Sequence, residues 1–365
     1  MSLARRNLVQ DKTRFMLSVA GVALAVMLIL ILSGFLNGMY RQISAYLDHM
    51  SGSIVIAQDG VRNLLGATSL LPADIESPVR ARGAVQVVPI LSQFVILDLH
   101  DKKVPTYLVG YEPKTGGGPW QFAAGREPRN DKEAIFDRVL AQRHNLVPGD
   151  KVEILDRDFT IVGLSDGTAS WMTSFVFVRK TALEALLHAP GATSFLLVTS
   201  SERVGDEELR RRLSDLSNIE VTPKSTVMAN DLTLYGGVFS GPIRLMVGIA
   251  FLVGALVVGL VIYTATIERQ REYGVLKAIG ARNGLLYRTV TIQALIASSL
   301  GSILGVALAF GVAQLIMTSQ PQFLVVFESS AVMQALLAGL AMALFAAWFP
   351  ARVIARLAPA EVFRK

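Results

Sequence analysis

Four stretches without a formally charged side chain, residues 15–36, 245–267, 289–319 and 329–351, constrain this chain more than anything else in it. A helix rises 1.5 Å per residue, so about 20 apolar residues cross the roughly 30 Å hydrocarbon layer of a membrane. Each stretch is long enough, and four of them exceed what a soluble core of this size accommodates. Composition agrees: of 365 residues, 52% are hydrophobic and 18% charged, against about 25% charged in an average soluble domain. Residues 37–244 differ, with ordinary charge density and many turn formers, and they suffice for one or two water-soluble subdomains. The expected fold is a membrane protein: four transmembrane helices, with a large α+β extracytoplasmic domain inserted between the first and second spans.

Charge sorting sets the expected orientation. Segment 1–14 carries Arg5, Arg6, Lys12 and Arg14 against Asp11, a net +3. Segment 268–288 carries Arg269, Arg271, Lys277, Arg282 and Arg288 against Glu268 and Glu272, again +3, and segment 352–365 is +3 as well. The connection 320–328 has no Lys or Arg, and the insertion 37–244 is net −2. Basic connections stay on the cytoplasmic side. This predicts a cytoplasmic N-terminal segment (1–14), a cytoplasmic loop (268–288) and a cytoplasmic tail (352–365), with 37–244 and 320–328 outside. The net charge of +6 therefore reflects membrane orientation and implies no nucleic-acid partner. The apolar run of span one is long for a signal peptide and lacks a convincing cleavage site after it, so it reads as a retained anchor. No cysteine is present, which excludes disulfides and thiolate metal ligands.

Along the insertion, "NGMYRQISAYLDHM" reads as a helical stalk continuing span one. "SGSIVIAQDG", "GAVQVVPI", "QFVILDLH" and "VPTYLVGYE" read as separate short strands bounded by turn formers. "KTGGGPW" is a loop, "KVEIL", "DFTIVGLSDG" and "SFVFVRK" are strands, and "TALEALLHA" is a short helix. "TSFLLVTS", "VGDEELRRRLSDLSN" and "IEVTPKS" form a β-α-β unit, with Leu209, Leu213 and Leu216 at helical spacing. The four histidines, His49, His100, His144 and His188, are scattered without a metal-binding spacing, and no phosphate-binding glycine loop occurs. The carboxylate pairs Asp98/Asp101 and Asp156/Asp158 sit among turn residues and read as surface loops. Gly301 and Gly305 in "GSILG" expose backbone on one face of span three and suit close helix packing, within one subunit or between two.

The most distinctive stretch is "ERQREYGVLKAIGA", residues 268–281. Its charges hold it in water, while Tyr273, Leu276 and Ile279 recur at i, i+3 and i+6 as an apolar stripe. Gly280 and Gly284 are placed to end or bend a short helix. By spacing alone this is a docking helix or an amphipathic turn on lipid headgroups. The stretch resembles the signature of the permease superfamily that includes the cell-division permease FtsX, the macrolide exporter MacB, the lipoprotein-releasing permeases and the DevC-type exporters. "LARRNLVQDKTRFMLSVAGVALAV", "DKEAIFDRVLAQRHNLVPGDKVEIL" with "FTIVGLSDG", and the ending "APAEVFRK" extend the resemblance, and "GFLNGMY" leans towards the DevC-type branch.

The resemblance implies a bacterial cytoplasmic (inner) membrane permease in which two copies pair above a separate cytoplasmic ATPase dimer. ATP and Mg would bind that partner and no cofactor this chain, which would not itself be an enzyme. Glu268, Arg269, Arg271, Glu272, Tyr273, Leu276, Lys277, Ile279 and Gly280 would form the coupling helix. The function implied is ATP-driven export or extraction of an amphiphilic substrate, with a periplasmic adaptor as a further partner. The alternative is a mechanotransmitter that moves an extracytoplasmic cell-wall hydrolase without transport.

Overall fold

The computed structural model describes residues 12–170, 173–268, 270–279, 281 and 283–356, and it divides into two compact units. Residues 1–11 and 357–365, which hold much of the expected N-terminal segment and tail, lie outside the described residues. Two helices, α1 (Lys12–His49) and α6 (Lys224–Glu268), pass from one unit into the other, the divisions falling after Asn37 and Val238.

The helical unit contains the apolar parts of α1 and α6, the short α7 (Gln270–Ala278), α8 (Asn283–Ser319) and α9 (Ser329–Arg356). Among the described residues, four helices are long and apolar enough to cross a membrane. Their buried interior is dominated by small side chains: Ala250 of α6, Ala294 and Ala309 of α8, and Ala335, Ala343 and Ala346 of α9, against Val22, Val26 and Leu30 of α1. Small residues permit close backbone approach where lipid removes the hydrophobic drive between helices. Ser298 donates its hydroxyl hydrogen bond to the Gly339 carbonyl across α8 and α9 at 2.6 Å.

The second unit carries ten strands. In chain order these are β1 (Ile54–Gln58), β2 (Ala84–Leu99), β3 (Lys102–Tyr111), β4 (Phe122–Gly125), β5 (Glu133–Asp137), β6 (Lys151–Ile154), β7 (Arg157–Ser165), β8 (Ser174–Arg179), β9 (Phe195–Ser200) and β10 (Ile219–Pro223). The helices α2 (Glu76–Ala81), α3 (Arg138–Arg143), α4 (Lys180–Leu186) and α5 (Asp206–Leu213) interleave with them. Strand order is β10-β1-β9-β2-β3-β8-β5-β7-β4, with β6 on β7. β3 with β8 and β5 with β7 are parallel, and the remaining pairs are antiparallel.

One expectation needs correction. "GAVQVVPI" and "QFVILDLH" are a single strand, β2, whose first half pairs with β9 and whose second half pairs with β3. The change of partner falls where Pro89, Ser92 and Gln93 interrupt the apolar pattern, and the Ser194 hydroxyl there accepts from the Ser92 amide at 3.1 Å. Side-chain capping thus satisfies the backbone while the strand runs on. The β-α-β reading of 194–225 is realised with β1 lying between its two strands. At both carboxylate pairs the chain turns tightly: His100 and Asp101, and Leu155 and Asp156, are all left-handed, giving two-residue hairpin turns.

Candidate coupling segment

Beyond Glu268, the last described residue of α6, residues Gln270–Ala278 (α7) are helical, and α8 is described from Asn283. Charges at this density are costly inside hydrocarbon, which explains why the apolar character of the chain stops here. Arg271 and Glu272 are exposed, Gly274 is buried and Val275 is half exposed. Ile279 follows the last residue of α7, donates its amide to the Val275 carbonyl at 3.1 Å, and is 76% exposed.

Tyr273, Leu276 and Lys277 belong to α7 by their backbone, and their side chains lie outside the described residues, as do Arg269 and Gly280 entirely. The structure therefore places Ile279 of the apolar stripe on the surface and gives 273 and 276 their helical register. Gly284 does not end the short helix. It lies inside α8, beyond Ile279 and Ala281, which are not helical.

Glu268 has a partner that sequence reading missed: the guanidinium of Arg14 on α1 forms an ion pair with it. The pair ties α1 to α6 next to the charged stretch 268–281. With side-chain exposures of 34% and 57% it contributes less than about 1 kcal/mol, so it serves as a positional tie more than a source of stability. No spacing rule connects residues 14 and 268.

Gly301 and Gly305 sit on the face of α8 that meets α1. A Cβ added at Gly301 would come within 2.7 Å of the Val19 carbonyl oxygen, and one at Gly305 within 2.6 Å of the Ala23 carbonyl oxygen. Backbone-to-backbone approach this close excludes any larger residue without a shift of the helix pair.

Comparison with known proteins covers both units of the chain. The family model "FtsX-like permease C-terminal" matches residues 244–359, and "MacB-like periplasmic core domain" matches residues 15–216. An uncharacterised ABC transporter permease of Mycobacterium tuberculosis (strain ATCC 25618 / H37Rv) is 24% identical over 304 residues, covering 83% of each chain. The macrolide export ATP-binding/permease protein MacB of Psychrobacter cryohalolentis is 29% identical over 180 residues, 49% of this chain and 25% of that one. Among solved structures, the periplasmic region of MacB from Actinobacillus actinomycetemcomitans aligns at 15% identity with a TM-score of 0.37, covering 49% of this chain and 92% of that one.

Proposed function

Because this chain belongs to the FtsX- and MacB-type ABC transporter permeases, we propose that it is the membrane subunit of an ATP-driven exporter or extractor of an amphiphilic substrate. A separate ATPase dimer docks on 268–288 of two paired copies, binding the ATP and Mg that drive the cycle. The permease itself supplies no catalytic group. Both termini and 268–288 face the cytoplasm of a bacterial inner membrane, in keeping with their positive charge. Motion of the ATPase reaches the external unit through α1 and α6, the two helices that each continue from span to stalk.

The observation that carries this reading is the charged, family-matched stretch itself: Gln270–Ala278 is helical, with Glu272 and Ile279 exposed. In it Leu276 seats in an apolar groove of the ATPase, and Glu272 with Arg269 or Arg271 fixes the orientation of docking. Leu276→Asp would bury an unpaired carboxylate at that contact. Reconstitution with the cognate ATPase tests it. Leu276→Asp and Glu272→Arg should each abolish or strongly reduce complex formation and cargo-linked ATP hydrolysis, while membrane insertion and protease resistance of the external unit stay as in wild type. Docking and coupling at wild-type levels in both variants would overturn the assignment. A secreted cell-wall hydrolase copurifying with the complex, without ATP-dependent movement of cargo, would instead select the mechanotransmitter reading.

A further inference from the structure

The external unit contains a cavity of about 390 Å³, within the range of small-molecule sites. Among the described residues that line it there is no Asp, Glu, Lys, Arg or His. Its apolar lining is Ile43 of α1, Leu65 of the loop before α2, Phe94 of β2 and Phe175 of β8, completed by the phenols Tyr107 and Tyr235. Phe94 is 50% exposed, an aromatic that packing within the chain leaves half uncovered.

The walls are fixed in advance. The buried Asp231 carboxylate accepts from the amides of Leu64 and Leu65 at 3.2 and 3.3 Å and from the Asn63 side-chain amide at 3.4 Å. Tyr107 donates its hydroxyl to the Leu64 carbonyl at 2.7 Å, and Tyr235 donates to the Leu65 carbonyl at 2.7 Å. Three side chains from two elements thus clamp one two-residue stretch, and both phenol hydroxyls are engaged in the wall. Tyr107 and Phe175 pack edge to face at 5.6 Å. Gly66 follows directly, where a Cβ would meet Leu234 at 2.7 Å.

The polar part of the lining is neutral. Gln42 donates its side-chain amide to the Gln322 carbonyl at 2.9 Å, and Gln93 donates to the Phe94 carbonyl at 3.2 Å. In each the amide oxygen remains as an acceptor. A charged ligand would lose hydration here and find no countercharge, whereas an alkyl or ring body matches the aromatic walls.

We propose that this cavity binds an uncharged amphiphile, with its apolar body against Ile43, Leu65, Phe94 and Phe175 and a hydroxyl or amide N–H donated to Gln42 or Gln93. That such a molecule is cargo rests on the export reading above, while its binding rests on the cavity alone.

The test uses the full chain in phosphatidylcholine nanodiscs, with neither ATPase nor nucleotide, so that failure of the export reading leaves its outcome unchanged. Three diazirine-bearing probes share one alkyl tail and differ in the head: a fatty alcohol, a fatty acid and a fatty amine. Photolabelled residues are mapped by mass spectrometry. The alcohol should label segments 64–68, 92–94 and 173–175 saturably, at least fivefold above the acid and the amine. Ala67→Trp, which fills the cavity, should remove that labelling and leave labelling of the apolar helices unchanged. Gln93→Glu supplies a countercharge at a partly exposed position and should move the preference from alcohol to amine, an outcome that a misfolded domain would not produce. Equal labelling by all three heads, labelling that does not saturate, or no change of preference in Gln93→Glu would each overturn the proposal.

Discussion

The two units of this molecule fill their interiors with different side chains. Phe136, Phe159, Phe177, Phe195, Tyr46 and Tyr111 are all almost wholly buried in the external unit. In the helical unit alanines fill half of the buried core positions, with Gly301 and Gly305 in backbone-scale contact. Water explains the first choice, since every square ångström of apolar surface removed from it is worth about 25 cal/mol, and large rings remove the most. Lipid explains the second. A leucine facing lipid loses nothing by staying there, so helix association depends on fit, and small residues let the backbones close. The same hydrophobicity index therefore means burial in one unit and exposure in the other. Leu256, 71% exposed, is an ordinary lipid-facing residue, while Phe94 is conspicuous.

The sharpest way to break this comparison is to remove bulk from the external core. Phe136→Ala should cost about 3–5 kcal/mol, by lost transfer energy and the cavity left behind. Thermal or denaturant unfolding of the full chain, followed by protease resistance of the external unit, should show a large drop. An effect below about 1 kcal/mol would mean that this core is far looser than its burial indicates.

In the helical unit the expected sensitivity reverses. Gly305→Val adds apolar bulk and should nevertheless destabilise the helix packing by roughly 1–3 kcal/mol, because the added atoms meet the Ala23 carbonyl. Leu256→Ala removes bulk at a lipid-facing position and should change stability by less than about 0.5 kcal/mol. Thermal midpoints in one fixed lipid environment provide the measurement. Equal losses in both variants would remove the distinction between the two interiors.

A smaller effect sharpens the reading of the external unit through pH. The hydrogen bonds from Arg126 to the buried Glu133 lower its pKa to about 2, from an ordinary value of 4.5. Its stabilisation is fully present above pH 4.5 and is lost as pH falls towards 2. Burial away from any cation raises the pKa of Asp231 from 3.8 to about 6, so the sign is opposite. Ionising it costs the folded state, fully above pH 6 and no longer below 3.8. Thermal midpoints of wild type, Glu133→Gln and Asp231→Asn across pH 3–7 should show two trends. The wild-type advantage over Glu133→Gln should shrink on acidification below 4.5, and wild type should gain on Asp231→Asn between pH 6 and 3.8. Parallel curves for all three proteins would refute both assignments.

What could be read from the chain follows from the same contrast. The bilayer imposes one rule on long uncharged stretches, so the number of apolar helices and the α+β insertion were legible before any contact was known. The stretch 268–281 was legible because its composition conflicts with the apolar sequence around it. Strand partners were not. Pro89 and Ser92 signal a break in β2 that tertiary capping by Ser194 overrides. Arg14 and Glu268 meet through helix packing, which no local pattern encodes. The cavity collects side chains from residue 42 to residue 235, and each is unremarkable in its own neighbourhood.

The place of β1 has a consequence for how the protein is made. It emerges early, yet both of its edges belong to strands near the far end of the insertion: Ile56 pairs with Leu196 on one side and with Val221 on the other. Until those residues have crossed the membrane, "IVIAQ" is a short apolar strand with two unpaired edges, the kind of segment that pairs with whatever is near. Closing loops of this length is slow relative to local folding. Secretion of the insertion must therefore outlast a period in which β1 is unprotected. A chain truncated before residue 219 would keep β9 but leave the other edge of β1 permanently open, prone to aggregate outside the membrane even with its first span correctly inserted.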